Sequence, residues 1–435
     1  MIIDLFTCGR SCGKQEAMNF QSTNRRQVLR KGLLLAAGGS LVPRRLMAVD
    51  KQSADDPVPK VKIASVKTYL LQHRLKRPFG VSISVPLSTT RSALLVKIET
   101  DSGLVGWGET AVLGGVRGAI ETKLAPLLIG RNPLEYRTLW RLLWGANFGD
   151  GRAVGAVDVA LNDLRGKVLN LPVTALFGGP MRNRIPAYAS AMNYVEGQRP
   201  EQQFPDEAAA LVQQGYKALK MRIGRHSVAR DGDIANRVRE AVGSDIQLMA
   251  DGNAGYTMGT AIRMGDKLYE LGYEFFEEPL PQSPKYAGYD KLVDKLRIPL
   301  AAGEAVDSRA AAKDLIDRRA MDIIQPDVSL CGGIGAALFI AELAALSGNI
   351  RCIPHCWGSD IVTAATIQFL ALLPDPHWGF PTHTPLLEMD LSENPWRREI
   401  MREPIEVRGG FVDVPQKPGL GIEVDEDAVR KFAVQ

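Results

Sequence analysis

Seven polar residues set the ruler for this chain. Lys220, Asp251, Glu277, Glu304, Asp327, His355 and Glu388 each close a short apolar run, and they succeed one another at intervals of roughly 23 to 33 residues. Between the runs lie amphipathic stretches that open on a cap and stop on glycine, as in Phe204-Pro-Asp206-Glu-Ala-Ala-Ala-Leu-Val-Gln-Gln-Gly215. The stop recurs at Leu271-Gly272. After each stop comes a tyrosine with a charged residue four positions on, Tyr216 to Lys220 and Tyr273 to Glu277, which marks an internal repeat of two βα units. Eight units in about 250 residues imply a repeat of ~31, so the spacing predicts a (β/α) barrel whose carboxyl-end face carries these groups. A doubly wound sheet is the alternative, but its ligand crevice does not use every strand.

Three of the runs end in acids: Ile246-Gln-Leu-Met-Ala-Asp251-Gly-Asn253, Tyr273-Glu-Phe-Phe-Glu277-Glu278-Pro279 and Ile298-Pro-Leu-Ala-Ala-Gly-Glu304. Carboxylates buried at converging strand ends are costly without positive charge, so they either pair with barrel lysines or hold a hard ion. Oxygen donors of this kind suit Mg²⁺, with positions left for water and substrate. Asn253 is placed to reach substrate or a coordinated water. Upstream, Lys220 and Arg222 share one face of a strand because side chains alternate. Downstream, Ile324-Gln-Pro-Asp327 and Ile353-Pro-His355 end adjacent strands, so Asp327 can orient the imidazole and raise its basicity. The other histidines, His73, His226, His377 and His383, lack that context. Glu388, in Pro385-Leu-Leu-Glu-Met, is read as a carboxyl that, if protonated, donates a hydrogen bond to a developing enolate oxygen. Gly332-Gly333-Ile-Gly335 lacks a complete dinucleotide fingerprint and reads as a helix start. Cys352 and Cys356 flank His355 but have no further ligands for zinc.

The chain ahead of the barrel has a different rhythm. Val61-Lys-Ile-Ala-Ser-Val-Lys-Thr-Tyr, Ser92-Ala-Leu-Leu-Val-Lys-Ile-Glu-Thr100 and Leu104-Val-Gly-Trp-Gly-Glu109 read as strands, with a turn at Asp101-Ser-Gly103. Residues 73–90, rich in Arg, Pro, Gly and Ser, read as a long mobile loop and a candidate lid. Helices are expected over 118–128, 133–144 and 154–167, the last with apolar i, i+3, i+4, i+7 spacing. Residues 61–180 thus form an α+β domain, and 51–60 a linker. The first 50 residues read as a leader: Asn24-Arg25-Arg26-Gln27-Val28-Leu29-Arg30-Lys31, an apolar run at 32–42 too short to span a bilayer, and a small-residue cleavage site at Leu46-Met-Ala48. This order resembles a twin-arginine export signal and predicts a periplasmic protein, with a cytoplasmic one if the leader is not functional. Met18 is a possible true start. Cys8 and Cys12 would leave with the leader, and the other three cysteines make no disulfide framework. Much of the formal charge of +4 lies in the leader, so neither nucleic acid nor stable membrane insertion is expected.

Read in order, Lys-x-Arg (220–222), Asp-Gly-Asn (251–253), Glu-Glu-Pro (277–279), Gly-Glu (303–304), Gln-Pro-Asp (325–327), Pro-His (354–355) and Leu-Glu (387–388) resemble the enolase superfamily, mandelate racemase/muconate lactonizing enzyme subgroup. The likeness runs from Val61 to the C-terminus and includes Trp107-Gly-Glu109 and Asp158-Val-Ala-Leu-Asn-Asp-Leu-Arg-Gly-Lys167. It implies an α/β fold: a modified (β/α)8 TIM barrel, (β/α)7β, over residues 181–400. An α+β capping domain would be formed by the N-terminal region and the C-terminal tail, with 401–435 packing on it. It further implies one Mg²⁺ on Asp251, Glu277 and Glu304, with Glu277 chosen over Glu278 by the family pattern. A small-molecule carboxylate substrate would lose its α-proton to give an enediolate stabilised by the metal and Glu388. A homo-oligomer is implied as well.

One departure from the family pattern is informative. Many members carry Lys-x-Lys, whose second lysine serves as a base, whereas here that position is Arg222. An arginine stays protonated and is a poor proton acceptor. A symmetric two-base racemase is therefore disfavoured, and His355 with Asp327 is left as the base, while Lys220 and Arg222 hold substrate carboxylate and developing charge. The expected function is a Mg²⁺-dependent dehydratase of an aldonate or aldarate. An epimerase, racemase or cycloisomerase on the same scaffold is the alternative, and an exported binding protein that has lost turnover is a third reading. Substrate choice is expected in the 73–90 segment and in loops near Tyr194 and Trp357.

Overall fold

The computed structural model describes residues 59–348, 350–374 and 385–434. The leader, most of the expected linker, Met18, Cys8, Cys12, His377 and His383 lie outside them. The chain first lays down an antiparallel meander, β1 (Ile63–Gly80), β2 (Ser88–Thr100) and β3 (Val105–Thr110). The helix Gly151–Leu169 crosses this sheet at its closest on β3. The approach needs glycine: a Cβ at Gly106 would lie 2.2 Å from the carbonyl oxygen of Ala160, and one at Gly108 would lie 2.0 Å from that of Ala156. The expected helix over 118–128 is present as two α-helical turns joined by a π-helical segment, Ile120–Leu124.

The 73–90 segment is not a long loop. His73 pairs with Arg91 and Arg74 with Thr90, so β1 and β2 form a long hairpin joined by residues 81–87 only. An irregularity between Arg74 and Phe79, where four residues of β1 face one of β2, explains why no alternation is legible there, since unmatched residues break the period-2 pattern.

Eight parallel strands follow: β4 (Arg184–Ser190), then, after the short β5 (Tyr194–Val195) that pairs with β1, β6 (Ala218–Arg222), β7 (Gln247–Asp251), β8 (Phe276–Glu277), β9 (Leu300–Ala302), β10 (Ile323–Ile324), β11 (Arg351–Cys352) and β12 (Leu387–Asp390). Neighbours pair in chain order, and β12 returns to lie beside β4, from Leu387 against Ala187 to Asp390 against Ser190. The sheet therefore curls into a barrel rather than reversing its order as a doubly wound sheet does. Among the described residues no ladder joins β11 to β12. Among the described residues, seven helices, from Pro200–Gln213 to Asp360–Leu372, sit one in each interval between successive barrel strands, which is the (β/α)7β pattern. The first begins at Pro200, ahead of the expected start at Phe204, because a proline at the first helical position has its backbone angle preset. The chain ends with β13 (Phe411–Asp413), antiparallel to β4, and β14 (Ala433–Val434), antiparallel to β1. None of the described helices is long and apolar enough to cross a membrane.

The barrel interior explains five of the seven ruler positions, Glu304 and Asp327 lying one and two residues further on. Tyr188, Ala218, Met249, Phe275, Ala301, Ile323, Ile353 and Leu386 form one buried apolar cluster, one residue from each strand run. Side chains alternate along a strand, so the residues two positions on, Ser190, Lys220, Asp251, Glu277, Gly303, Gln325, His355 and Glu388, form the next layer toward the carboxyl ends. An apolar plug thus carries a polar mouth.

Candidate active site

Lys220 is the hub of the mouth. Fully buried, its ammonium donates to both carboxylate oxygens of Glu277 at 2.8 Å, lies 2.7 Å from Glu388 Oε1 and stands 3.7 Å from Asp251 Oδ2. Burial works against its charge, but Glu277, Glu388 and Asp251 outweigh it and hold the proton more tightly than usual. Arg222 is bound as firmly. Its guanidinium pairs with Asp251, donates to Asn253 Oδ1 at 3.1 Å and to Ser190 Oγ at 3.3 Å, and stacks 5.0 Å from the centre of the Trp357 ring. Neither group is free to act as a base.

The opposite side holds the dyad. His355 Nδ1 donates to Asp327 Oδ2 at 2.7 Å, and Asp327 Oδ1 is occupied by the amide of Ser329 at 2.7 Å and its hydroxyl at 2.6 Å. Nε2 is left facing the mouth, 3.5 Å from Glu304 Oε2, with the imidazole side chain 16% exposed. Burial disfavours the imidazolium, but Glu304, Asp327 and Glu388 raise its pKa to about 10. Glu304 extends from the turn after β9 and is partly exposed.

Glu388 corrects the sequence expectation. It is not a neutral hydrogen-bond donor: although burial opposes ionisation, Lys220, His355 and Arg222 lower its pKa to about 2, so it is a carboxylate. It accepts from the amide of Cys356 at 3.0 Å and pairs with Lys220. Spacing along the chain cannot show that a lysine six strand-runs away sits against it.

The acids fit a hard cation in chemistry and charge. Fully ionised, Asp251, Glu277, Glu304, Asp327 and Glu388 face Lys220, Arg222 and one imidazolium, an excess of two negative charges in a largely buried space. The strain registers at Asp251, where burial and then Glu277 raise the pKa to about 8 against the pull of Arg222 and Lys220. Asp251 and Glu277 are register partners on β7 and β8, and Glu304 follows the next strand, so three oxygen donors come from neighbouring strand ends. Among the described residues no three such side chains are already gathered closely enough to hold an ion, because Lys220 and Arg222 have drawn Glu277 and Asp251 to themselves.

The structure adds residues the sequence reading passed over. Gln325 donates to Glu277 Oε2 at 2.9 Å, and Ser190 supports Arg222. Both lie two residues beyond a plug position, a step that could have found them. Trp357 is wedged against Arg222 and, 4.4 Å away, against Arg91 of β2. From the hairpin tip, Ser82 and Ser84 donate to the carbonyl of Asn253 at 2.7 and 2.5 Å, while Arg225 donates to that of Ser82 at 2.7 Å. Asn253 thus lies beneath the tip, with its own side chain turned to Arg222. No linear signal announces either contact, since both join segments more than 100 residues apart.

Two family models match this chain: the mandelate racemase / muconate lactonizing enzyme N-terminal domain over residues 65–178, and the enolase C-terminal domain-like model over 203–428. The D-galactarolactone cycloisomerase of Agrobacterium fabrum is 36% identical over 379 residues, covering 86% of this chain and 99% of that protein. The arabinonate dehydratase of Saccharolobus solfataricus is 32% identical over 345 residues, covering 77% and 89%. Among solved structures, the 3,6-anhydro-D-galactonate cycloisomerase from Zobellia galactanivorans superposes with a TM-score of 0.76 at 31% identity, covering 86% of this chain and all of that one. A racemase from Streptomyces coelicolor A3(2) with bound magnesium gives 0.74 at 26% identity, covering 86% and 100%. With both domain models matched in order, the chain belongs to the mandelate racemase/muconate lactonizing enzyme group of the enolase superfamily.

Proposed function

We propose that this chain is a Mg²⁺-dependent sugar-acid lyase, a dehydratase of an aldonate or aldarate. The observation that carries it is the asymmetry of the mouth: one imidazole, tied to a carboxylate at 2.7 Å, faces two cations that are already saturated with acids. Asp251, Glu277 and Glu304 would hold the metal. When bound, Mg²⁺ supplies positive charge that stabilises an enediolate and offsets the field that keeps His355 protonated. His355 Nε2 then takes the proton α to the substrate carboxylate, with Asp327 fixing the tautomer and supporting the imidazolium. The same imidazolium returns that proton to the departing β-hydroxyl. The C–H and C–O bonds break, a C=C bond forms, water leaves, and the resulting enol becomes the 2-keto-3-deoxy acid. Arg222 contributes a fixed positive charge, and Lys220 holds the carboxylates of Glu277 and Glu388 in place. The likeness to an arabinonate dehydratase supports the reading.

A cycloisomerase is the second reading, favoured by the higher identity to the D-galactarolactone enzyme. It uses the same base but a leaving oxygen that remains part of the product. A panel of aldonates, aldarates and their lactones, incubated with protein and Mg²⁺ and followed by mass spectrometry, separates the two. Loss of one water to a 2-keto-3-deoxy acid supports dehydration, an isobaric product supports cycloisomerisation, and solvent deuterium exchange with neither would replace both by an epimerase. The leader supports export of the folded protein. Replacing Arg25 and Arg26 with lysine and fractionating cells tests it, since an unchanged distribution would remove the export reading.

A further inference from the structure

Glu278 is the acid that sequence alone cannot tell from Glu277. The structure turns it away from the mouth: its backbone takes a left-handed conformation, φ 35°, and its side chain is buried under the turn that follows β9. There one oxygen, Oε1, accepts the amide of Gly303 at 2.9 Å, the amide of Glu304 at 3.3 Å and the hydroxyl of Tyr286 at 2.8 Å. Tyr286 Oη in turn accepts the amide of Ala305 at 3.1 Å. Three consecutive backbone N–H groups are thus gathered by one carboxyl group and its tyrosine. The other oxygen accepts from the side chain of Gln282, whose amide also reaches Glu304 Oε1 at 3.4 Å. Gly303, at φ 119°, supplies a conformation that a side chain would resist.

We propose that Glu278 is a positioning residue: it locks the 303–305 turn so that Glu304 presents its carboxylate at the barrel mouth as a metal ligand. The inference rests on the reading of Glu304 as a ligand of Mg²⁺. A glutamate side chain suits the task because its two oxygens reach all four donors at once. Without it the turn loses its common anchor, and Glu304 must be ordered at the moment of metal binding. Supports of this kind are worth about 10–100-fold in metal affinity.

The test is Mg²⁺ titration by calorimetry on the metal-stripped full chain. Glu278→Leu should weaken Mg²⁺ binding about 10–100-fold. Glu278→Gln, which keeps an acceptor oxygen at the same place, should lose less. A folded Glu278→Leu variant, shown so by circular dichroism, that binds Mg²⁺ like the wild type overturns the inference and leaves the metal site standing. A wild type that takes up no Mg²⁺ removes both. Should the leucine variant not fold, Tyr286→Phe deletes a single hydroxyl from the same network. A weaker Mg²⁺ affinity with unchanged secondary structure supports the role, and an unchanged affinity overturns it.

Discussion

Carboxylates are buried in two ways in this molecule. At the barrel mouth, Glu388 sits against Lys220 at 2.7 Å and its pKa is driven down to about 2 although burial opposes ionisation. Where the N-terminal sheet meets the barrel, Glu109 near the end of β3 makes no ion pair among the described residues, Arg91 acting on it only from a distance. It accepts from the amide of Ser359 at 2.9 Å, the hydroxyl of Ser359 at 2.5 Å and the amide of Val362 at 3.4 Å, all at the start of the helix Asp360–Leu372. There burial wins, and the pKa rises to about 7. The difference teaches that a raised pKa on a buried acid does not by itself mark a catalytic group. Glu109 is a seam: Gly358 presses against it so closely that a Cβ would lie 2.6 Å from Oε1, and the loop so clamped carries His355 and Trp357.

The sharpest way to break the comparison is to remove the proposed base at the mouth. His355→Asn should lower turnover about 10²–10⁴-fold while leaving Mg²⁺ binding intact, read by product formation and calorimetry. Retained turnover would place the base elsewhere. Next, Lys220→Met leaves Glu277 and Glu388 buried without their cation and should cost the metal-free protein about 3–5 kcal/mol in urea unfolding. A cost below about 1 kcal/mol would mean that the acids simply take up protons, as Glu109 does.

The seam predicts a pH dependence of opposite character. The Glu109 pKa is raised from 4.5 to about 7 in the fold, so the folded state binds the extra proton between those values. Its contribution to stability is therefore full below about pH 4.5 and is lost as pH rises through 7, by up to about 3 kcal/mol as an order of magnitude. Glu109→Gln should flatten that slope in urea titrations at pH 5 and pH 8, and an unchanged slope would show that another group carries it. The smallest effect is expected of Arg222→Lys, about tenfold in kcat/KM. An ammonium cannot keep the contacts to Asp251, Asn253 and Ser190 together with the stack on Trp357. Wild-type rates in that variant would reduce Arg222 to a generic positive charge.

Much of the barrel was legible because its signals are local. Each strand run ends in an apolar residue followed two positions later by a mouth residue, and period-2 alternation guarantees that both face the interior. The same step would have found Ser190 and Gln325, which are uncharged and so drew no notice. The β1–β2 hairpin is hidden in the sequence because its ladder is irregular between Arg74 and Phe79 and its far end is rich in Arg, Ser and Pro. For Glu278, beside Glu277, alternation says only that it points elsewhere, not to what.

By itself, then, the sequence determined the repeat, the barrel and the charged side chains brought to its mouth, since these follow from local periodicity. Only the tertiary structure decided who meets whom: Lys220 on Glu388 rather than a neutral Glu388, Glu278 under the Glu304 turn, Trp357 between two arginines. Partnership across a closed ring of strands depends on distances that no spacing along the chain encodes, and in a buried space the nearest partner sets whether an acid keeps its charge.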